Sequence, residues 1–295
     1  MKRKALMMAV ITTVLWSGSY ILNKLAFQEG IGPLTLSAMR YLMASLLLLC
    51  FVRGKTKRTS TRLSLGVVLL LGVLGYALAQ GLQYVGQSYL TPTQSSLFLS
   101  VGNTSMVMLA DRVWLRENQT RRDLMKLLVL LFGICVYYYP FGAGQLSAAG
   151  LIFMALSSAG YALHMTFNRR LLTTGQAGAG ELTARPMLAG ALILLAFALI
   201  IEGPPVLTGR LLLILAYLSG VSGALGFYLW TRSQSALTAF ESSGINNLML
   251  IEIALMDFIF FRRTFTPAQA AAVLIVFCAV VSIQSRSKKG LEIKQ

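Results

Sequence analysis

Ten stretches of about twenty mostly apolar residues follow one another along this chain, at approximately 6–27, 33–52, 64–85, 91–111, 124–140, 148–168, 182–201, 209–230, 238–260 and 267–284. A helix of about twenty residues rises roughly 30 Å, the thickness of a bilayer's hydrocarbon core. Inside lipid a lone segment satisfies its backbone only as a helix. The pattern therefore predicts an all-α integral membrane protein with ten transmembrane helices. Composition agrees: 56% of the residues are hydrophobic and 12% charged, about half the charged share of an ordinary soluble domain. Too little chain lies between the runs to hold a soluble catalytic or nucleotide-binding domain. The first run follows Lys2-Arg3-Lys4, but it exceeds the apolar core of a secretory signal and no small-residue cleavage pattern follows, so it reads as the first helix.

A formal charge of +16 raises nucleic acid as a partner. The cations, however, sit in short clusters between apolar runs, where they follow the positive-inside rule and not a nucleic-acid-binding face. With the N-terminus inside, the outer loops hold Arg210, Arg262 and Arg263, the apolar runs hold Lys24, Arg40 and Arg185, and the remaining twenty of the 26 Lys and Arg fall on inner loops and tails. The expected topology is a multi-pass protein of the plasma (cell inner) membrane with both termini cytoplasmic, ending in a basic tail over 286–295. No nucleic acid partner is expected.

The chain resembles itself. Tyr20 and Tyr161 occupy similar places in the first and sixth runs; Arg40-Tyr-Leu-Met-Ala44 resembles Arg185-Pro-Met-Leu-Ala189; Ser95-Ser96 resembles Ser242-Ser243; Asp111 matches Asp257, and Thr120 matches Thr266. Two five-helix repeats, 1–141 and 147–285, account for this offset. Five is odd, so the second copy enters the membrane from the opposite side and the repeats are inverted. Such halves exchange conformations around a site near the midplane, which suits transport by alternating access.

Polar residues recur at helical spacing. Tyr76, Gln80, Gln83 and Gln87 share one face of the third run, Thr93, Ser96, Ser100 and Asn103 one face of the fourth, and Ser157, Tyr161, His164 and Asn168 one face of the sixth. Ser242, Asn246 and Asp257 share a face of the ninth, and Trp16, Tyr20 and Asn23 one of the first. A single stripe also reads as polar glue between helices. Five stripes point to a shared water-filled cavity. The candidate substrate-binding residues are Trp16, Tyr20, Asn23, Lys24, Arg40, Tyr76, Gln80, Gln83, Ser96, Ser100, Asn103, Tyr161, His164, Asn168, Ser242 and Asn246. Glycines at Gly72, Gly75 and Gly81, and at Gly220, Gly223 and Gly226, permit close approach or bending of the third and eighth runs.

Charges inside apolar runs need partners, water or an interface. Lys24 either snorkels to the outer headgroups or meets a solute carboxylate at the cavity's outer mouth. Symmetry sets Arg40 and Arg185 near Asp257 and Asp111 as candidate partners, with Arg112 or Arg116 at the lipid surface the preferred alternative for Asp111. His164, Asp257 and Glu252 are the candidates for coupling to a proton or another ion. Cys50, Cys135 and Cys278 all lie in apolar runs and read as buried hydrophobes. One histidine excludes a multi-histidine metal centre, and Gly54-Lys55-Thr56 lacks the glycine and strand of a phosphate-binding loop, Leu49 standing where the glycine belongs. No cofactor and no metal are expected.

The ordered set of features resembles a known family. Trp16…Asn23-Lys24 in the first helix, Arg40 in the second, the Ser-rich fourth helix running into Leu115-Arg116-Glu117-Asn118-Gln119-Thr120, and Thr266-Pro267 after the ninth are similar to the EamA-type branch of the drug/metabolite transporter superfamily, over essentially the whole chain. The resemblance implies an exporter of small metabolites such as amino acids or amphiphilic compounds. Its cavity would be lined by helices one to four and six to nine, with the fifth and tenth peripheral. The partners implied are a small-molecule substrate and the lipid bilayer. The competing classes are an intramembrane enzyme acting on lipid or isoprenoid groups, which would want paired carboxylates or several histidines that this sequence lacks, and a non-transporting membrane helper.

Overall fold

The structure, a computed structural model, describes residues 2–53, 63–114, 147–234, 236–237, 242, 245–246, 248–262 and 264–285, together with single positions between 125 and 137. The described elements with defined bounds are helices: α1 (Lys2–Gln28), α2 (Pro33–Arg53), α3 (Leu65–Tyr89), α4 (Pro92–Trp114), α5 (Ala148–Thr173), α6 (Ala179–Ile201), α7 (Gly209–Ser233), α8 (Leu248–Phe261) and α9 (Pro267–Ser285). Six of them, α1, α2, α3, α5, α6 and α7, are long and apolar enough to cross a membrane. The fifth apolar run falls mostly outside the described residues, although each described position from Met125 to Tyr137 is helical. The cationic 54–62 loop, Thr120, Cys135, Ser243 and the 286–295 tail also lie outside them.

Local chemistry sets the helix ends. Pro33, Pro92 and Pro267 each open a helix, where a missing N–H is no loss. Ser64, Ser147 and Thr208 each accept the backbone N–H three residues on, the usual N-cap bond. α2 receives a distant cap: Glu202, just past the end of α6, accepts from Leu34 N at 2.9 Å and Thr35 N at 2.8 Å, and the Thr35 hydroxyl adds a bond of 2.6 Å. A carboxylate there also faces the positive end of the α2 dipole. Since the C-terminal end of α6 meets the N-terminal end of α2, these two helices run antiparallel.

Two helices carry the same irregularity. α3 is regular to Gly72, π-helical over Val73–Gly81 and regular again to Tyr89; α7 is regular to Ala216, π-helical over Tyr217–Leu225 and regular again to Ser233. Each boundary of one maps onto the other at an offset of 144 residues. The packing repeats as well. α3 packs on α6 and α2 on α7; α4 packs on α5 and α8 on α1; α3 packs on α5 and α7 on α1. Exchanging α1 with α5, α2 with α6, α3 with α7 and α4 with α8 leaves this pattern unchanged, and the extensive α2–α6 contact maps onto itself. Where α3 crosses α6 only glycine fits, because a Cβ on Gly72 would stand 2.8 Å from the Pro186 carbonyl and 2.9 Å from Gly190 N.

Candidate functional site

A cavity of about 990 Å³, counting its part open to solvent, lies between the two halves. Its wall comes from α1 (Trp16, Ser19, Tyr20), α2 (Arg40), α3 (Gly75, Tyr76, Gln80, Gln83), α4 (Ser96, Leu99, Ser100, Asn103), α5 (Tyr161, His164, Met165, Asn168), α7 with its C-cap (Phe227, Trp230, Thr231, Gln234) and α8 with the turn before it (Asn246, Met249, Ile253). Neither α6 nor α9 contributes a described residue. α6, counterpart of the predicted seventh helix, lies behind α2 and α3 and braces them.

The π-helical segments shape this wall. Carbonyls in and beside them accept from side chains of other helices. Trp16 Nε1 donates to Ser222 O at 3.0 Å, Ser157 Oγ donates to Ala79 O at 2.5 Å, and His164 Nδ1 lies 3.2 Å from Leu71 O. Gly75 sits directly under the imidazole, and a Cβ there would overlap the ring. The result is an aromatic floor: Trp16 with its centroid 4.9 Å from Phe227 and 5.2 Å from Trp230, and Tyr76 in contact with Tyr41, Phe227 and His164. Gln83 Nε2 donates to Tyr20 Oη at 3.1 Å, and Tyr41 Oη donates to Gln80 Oε1 at 2.7 Å.

Arg40 holds the cavity's charge. The residue is 3% exposed. Nη2 donates to Ser222 Oγ at 2.7 Å, Nη1 donates to Tyr84 Oη, and the guanidinium lies 5.2 Å from the Tyr41 ring centroid and 5.8 Å from that of Tyr84. The expected partnership of Arg40 with Asp257 is not found. Asp257 is fully buried against Thr93, whose N and Oγ1 donate to Oδ2 at 3.3 and 2.6 Å. Arg185 likewise pairs with Glu181 at 3.0 Å, one turn back on its own helix, and the Asp111 side chain lies outside the description.

The sequence candidates thus divide. Trp16, Tyr20, Arg40, Tyr76, Gln80, Gln83, Ser96, Ser100, Asn103, Tyr161, His164, Asn168 and Asn246 come together around one space. Asn23, Lys24 and Ser242 lie off its wall. Asn23 donates to Gln87 Oε1 at 2.8 Å, Lys24 lines a separate narrow crevice with Tyr20, Phe27, Gln87, Pro92 and Ser95, and Ser242 is fully buried. Of the coupling candidates, His164 faces the cavity, Asp257 caps the Thr93 turn, and Glu252 stands between α1 and α8, accepting from Ser17 Oγ at 2.6 Å and Thr13 Oγ1 at 3.3 Å. Sequence reading missed Phe227, Trp230, Thr231 and Gln234. Their spacing of three, one and three marks a helix face, and the repeat offset sets Phe227 opposite Gln83; the glycines of that run drew attention from both signals.

The lining runs from mid-helix toward one end of the bundle. Asn168 lies one turn and a half from the end of α5, Gln234 just past the end of α7, and Asn246 just before α8. The opposite end is tied by Asn23–Gln87, Thr93–Asp257 and the Glu29–Arg210 ion pair at 2.7 Å.

Comparison with known proteins follows the same division. The sequence pattern of the EamA-like transporter family matches residues 3–139 and again 148–284. An uncharacterized transporter of Archaeoglobus fulgidus is 33% identical over 114 residues, 37% of this chain and 37% of that protein, so the match spans little more than a third of the relative's length. One crystal structure of a protein superimposes with a TM-score of 0.73 at 15% identity, covering 96% of this chain and 98% of that one. At that identity the likeness is one of fold.

Proposed function

Because the chain belongs to the EamA-like transporter family, a family of multi-pass membrane transporters, we propose that it is a secondary-active carrier exporting small metabolites by alternating access. The observation that carries this reading is the cavity itself: helices of both halves wall one polar and aromatic space, and the halves pack by an exchange-symmetric pattern. Inverted halves of this kind interconvert inward-open and outward-open states around a fixed site. By the positive-inside rule, the end toward which the lining extends is cytoplasmic, because it adjoins the cationic loops, and the tied end is outer. The structure then corresponds to an inward-facing state. The thirteen candidates around the cavity are the proposed solute contacts, ten transmembrane helices the proposed count, and a proton taken by Glu252 or His164 the proposed coupling.

Purified protein in proteoliposomes tests this. Solute should accumulate against its gradient when a pH gradient is imposed, chemically unchanged and lost on dissipating that gradient. Product formation without net movement would replace the carrier with an enzyme. The topology follows from cysteines at Thr59 and Ala143, which should be labelled from opposite faces.

A further inference from the structure

Among the described residues, Arg40 is a guanidinium without a counterion. A buried cation is retained when an anion or a dense set of oxygens repays its lost hydration. Here the oxygens are two hydroxyls, those of Tyr84 and Ser222, and Nε is buried with no hydrogen-bond partner among the described residues. No described carboxylate lies within ion-pair distance of Arg40. Guanidinium offers five N–H donors in a planar fork, so this fork is under-used where it meets the cavity.

The rest of the wall is as lopsided in charge. Among the described lining residues there is no Asp or Glu, and Arg40 is the one Lys or Arg. The described carboxylates nearest in sequence to the lining face elsewhere: Glu252 toward Ser17 and Thr13, Asp257 toward Thr93. Away from Arg40 the wall offers rings and amides. Oδ1 of Asn103 and Oδ1 of Asn168 are buried without a hydrogen-bond partner among the described residues, and these are acceptors for a neutral N–H or O–H, too weakly charged to hold an ammonium that has left water.

Resting on the carrier reading above, we infer that the solute is an organic anion whose carboxylate or comparable oxyanion supplies a counterion to Arg40, and that cations are excluded. Tyr84 and Ser222 hold the fork in place, and the Tyr41 and Tyr84 rings fix its plane. The aromatic floor of Trp16, Tyr76 and Phe227 takes the apolar part of the solute. The site selects by charge first and by flat apolar surface second.

Three probes of nearly one shape and different charge decide it: indole-3-acetate (negative), indole-3-acetamide (neutral) and tryptamine (positive), measured by equilibrium binding to the full chain in nanodiscs. The acetate should bind at least about tenfold tighter than the acetamide, as one charge-assisted contact implies, with tryptamine weakest. Arg40→Gln should erase the preference, and Arg40→Lys should restore part of it. If Arg40→Gln fails to insert, the wild-type series still decides. An acetate that binds no better than the other two, or a preference that survives in folded Arg40→Gln, overturns the proposal. Flux of the same probes in proteoliposomes separates the two claims: charge-selective binding without flux removes the carrier and keeps the anion site, and flux indifferent to charge does the reverse.

Discussion

Gly75 and His164 show how single residues set the site. The imidazole lies across the start of the π-helical stretch of α3 with Nδ1 on the Leu71 carbonyl, in space that exists because residue 75 has no side chain. Gly75→Ala forces the ring or the helix to move, and overpacking of this kind costs about 1–3 kcal/mol. The melting temperature of the purified protein should fall accordingly. His164→Ala should remove most of the added penalty in the double variant, because the two changes share one clash; additive losses would mean that Gly75 is required for another reason. At this scale the sequence was a partial guide. Periodicity marked the faces bearing Gln80, Gln83, His164 and Asn168, but a face runs the whole length of a helix and the cavity does not. Gln87, Thr93 and Ser157 share those faces and serve packing, bonding Asn23, Asp257 and the Ala79 carbonyl. Glu202 gave no local signal at all, since its partner is the start of a helix some 170 positions away in sequence.

Among elements, the paired π-helical segments are the feature that apolar runs conceal. Hydropathy located the third and eighth runs, and their glycines suggested bending, yet only backbone geometry reveals that both are widened over nine residues at equivalent places. Such insertions cluster at functional sites because they free carbonyls and re-aim side chains. Here carbonyls of the segments accept from neighbouring helices as well, and Ser157 Oγ on Ala79 O is the clearest case, buried at 2.5 Å. Ser157→Ala should destabilise the protein by about 0.6 kcal/mol, the average measured for hydrogen bonds between membrane helices, and by no more than about 1.7 kcal/mol, the largest, while Ser157→Thr, which keeps a hydroxyl, should lose less. Equal melting temperatures for wild type and Ser157→Ala would show that the segment holds its shape unaided.

Across the whole molecule, the duplication readable from Tyr20 and Tyr161 or Arg40 and Arg185 returns as antiparallel α2 and α6 and as packing that survives exchange of the halves. What sequence could not give is the state occupied: under the proposed alternating access the two halves trade conformations, and the same residues serve both forms. One contact at the tied end joins symmetry-counterpart helices: Thr93, at the start of α4, donates to Asp257 of α8. If the two halves trade conformations during transport, this bond must open when the outer end does. Thr93→Val keeps the volume and removes the hydroxyl donor, at a cost of about 1 kcal/mol for one such bond, which corresponds to roughly a fivefold shift in a two-state population. The readout is a cysteine at Gln83 in a background lacking Cys50, Cys135 and Cys278, labelled in sealed vesicles by a reagent that cannot cross the bilayer. From the outer face it should label slowly, and about fivefold faster when Thr93→Val is added; labelling of a cysteine at Asn246 from the cytoplasmic face should slow in the same variant, because one population empties as the other fills. Faster labelling from both faces at once would indicate a loosened bundle instead of an exchange of states, and unchanged rates would remove Thr93–Asp257 from the outer gate.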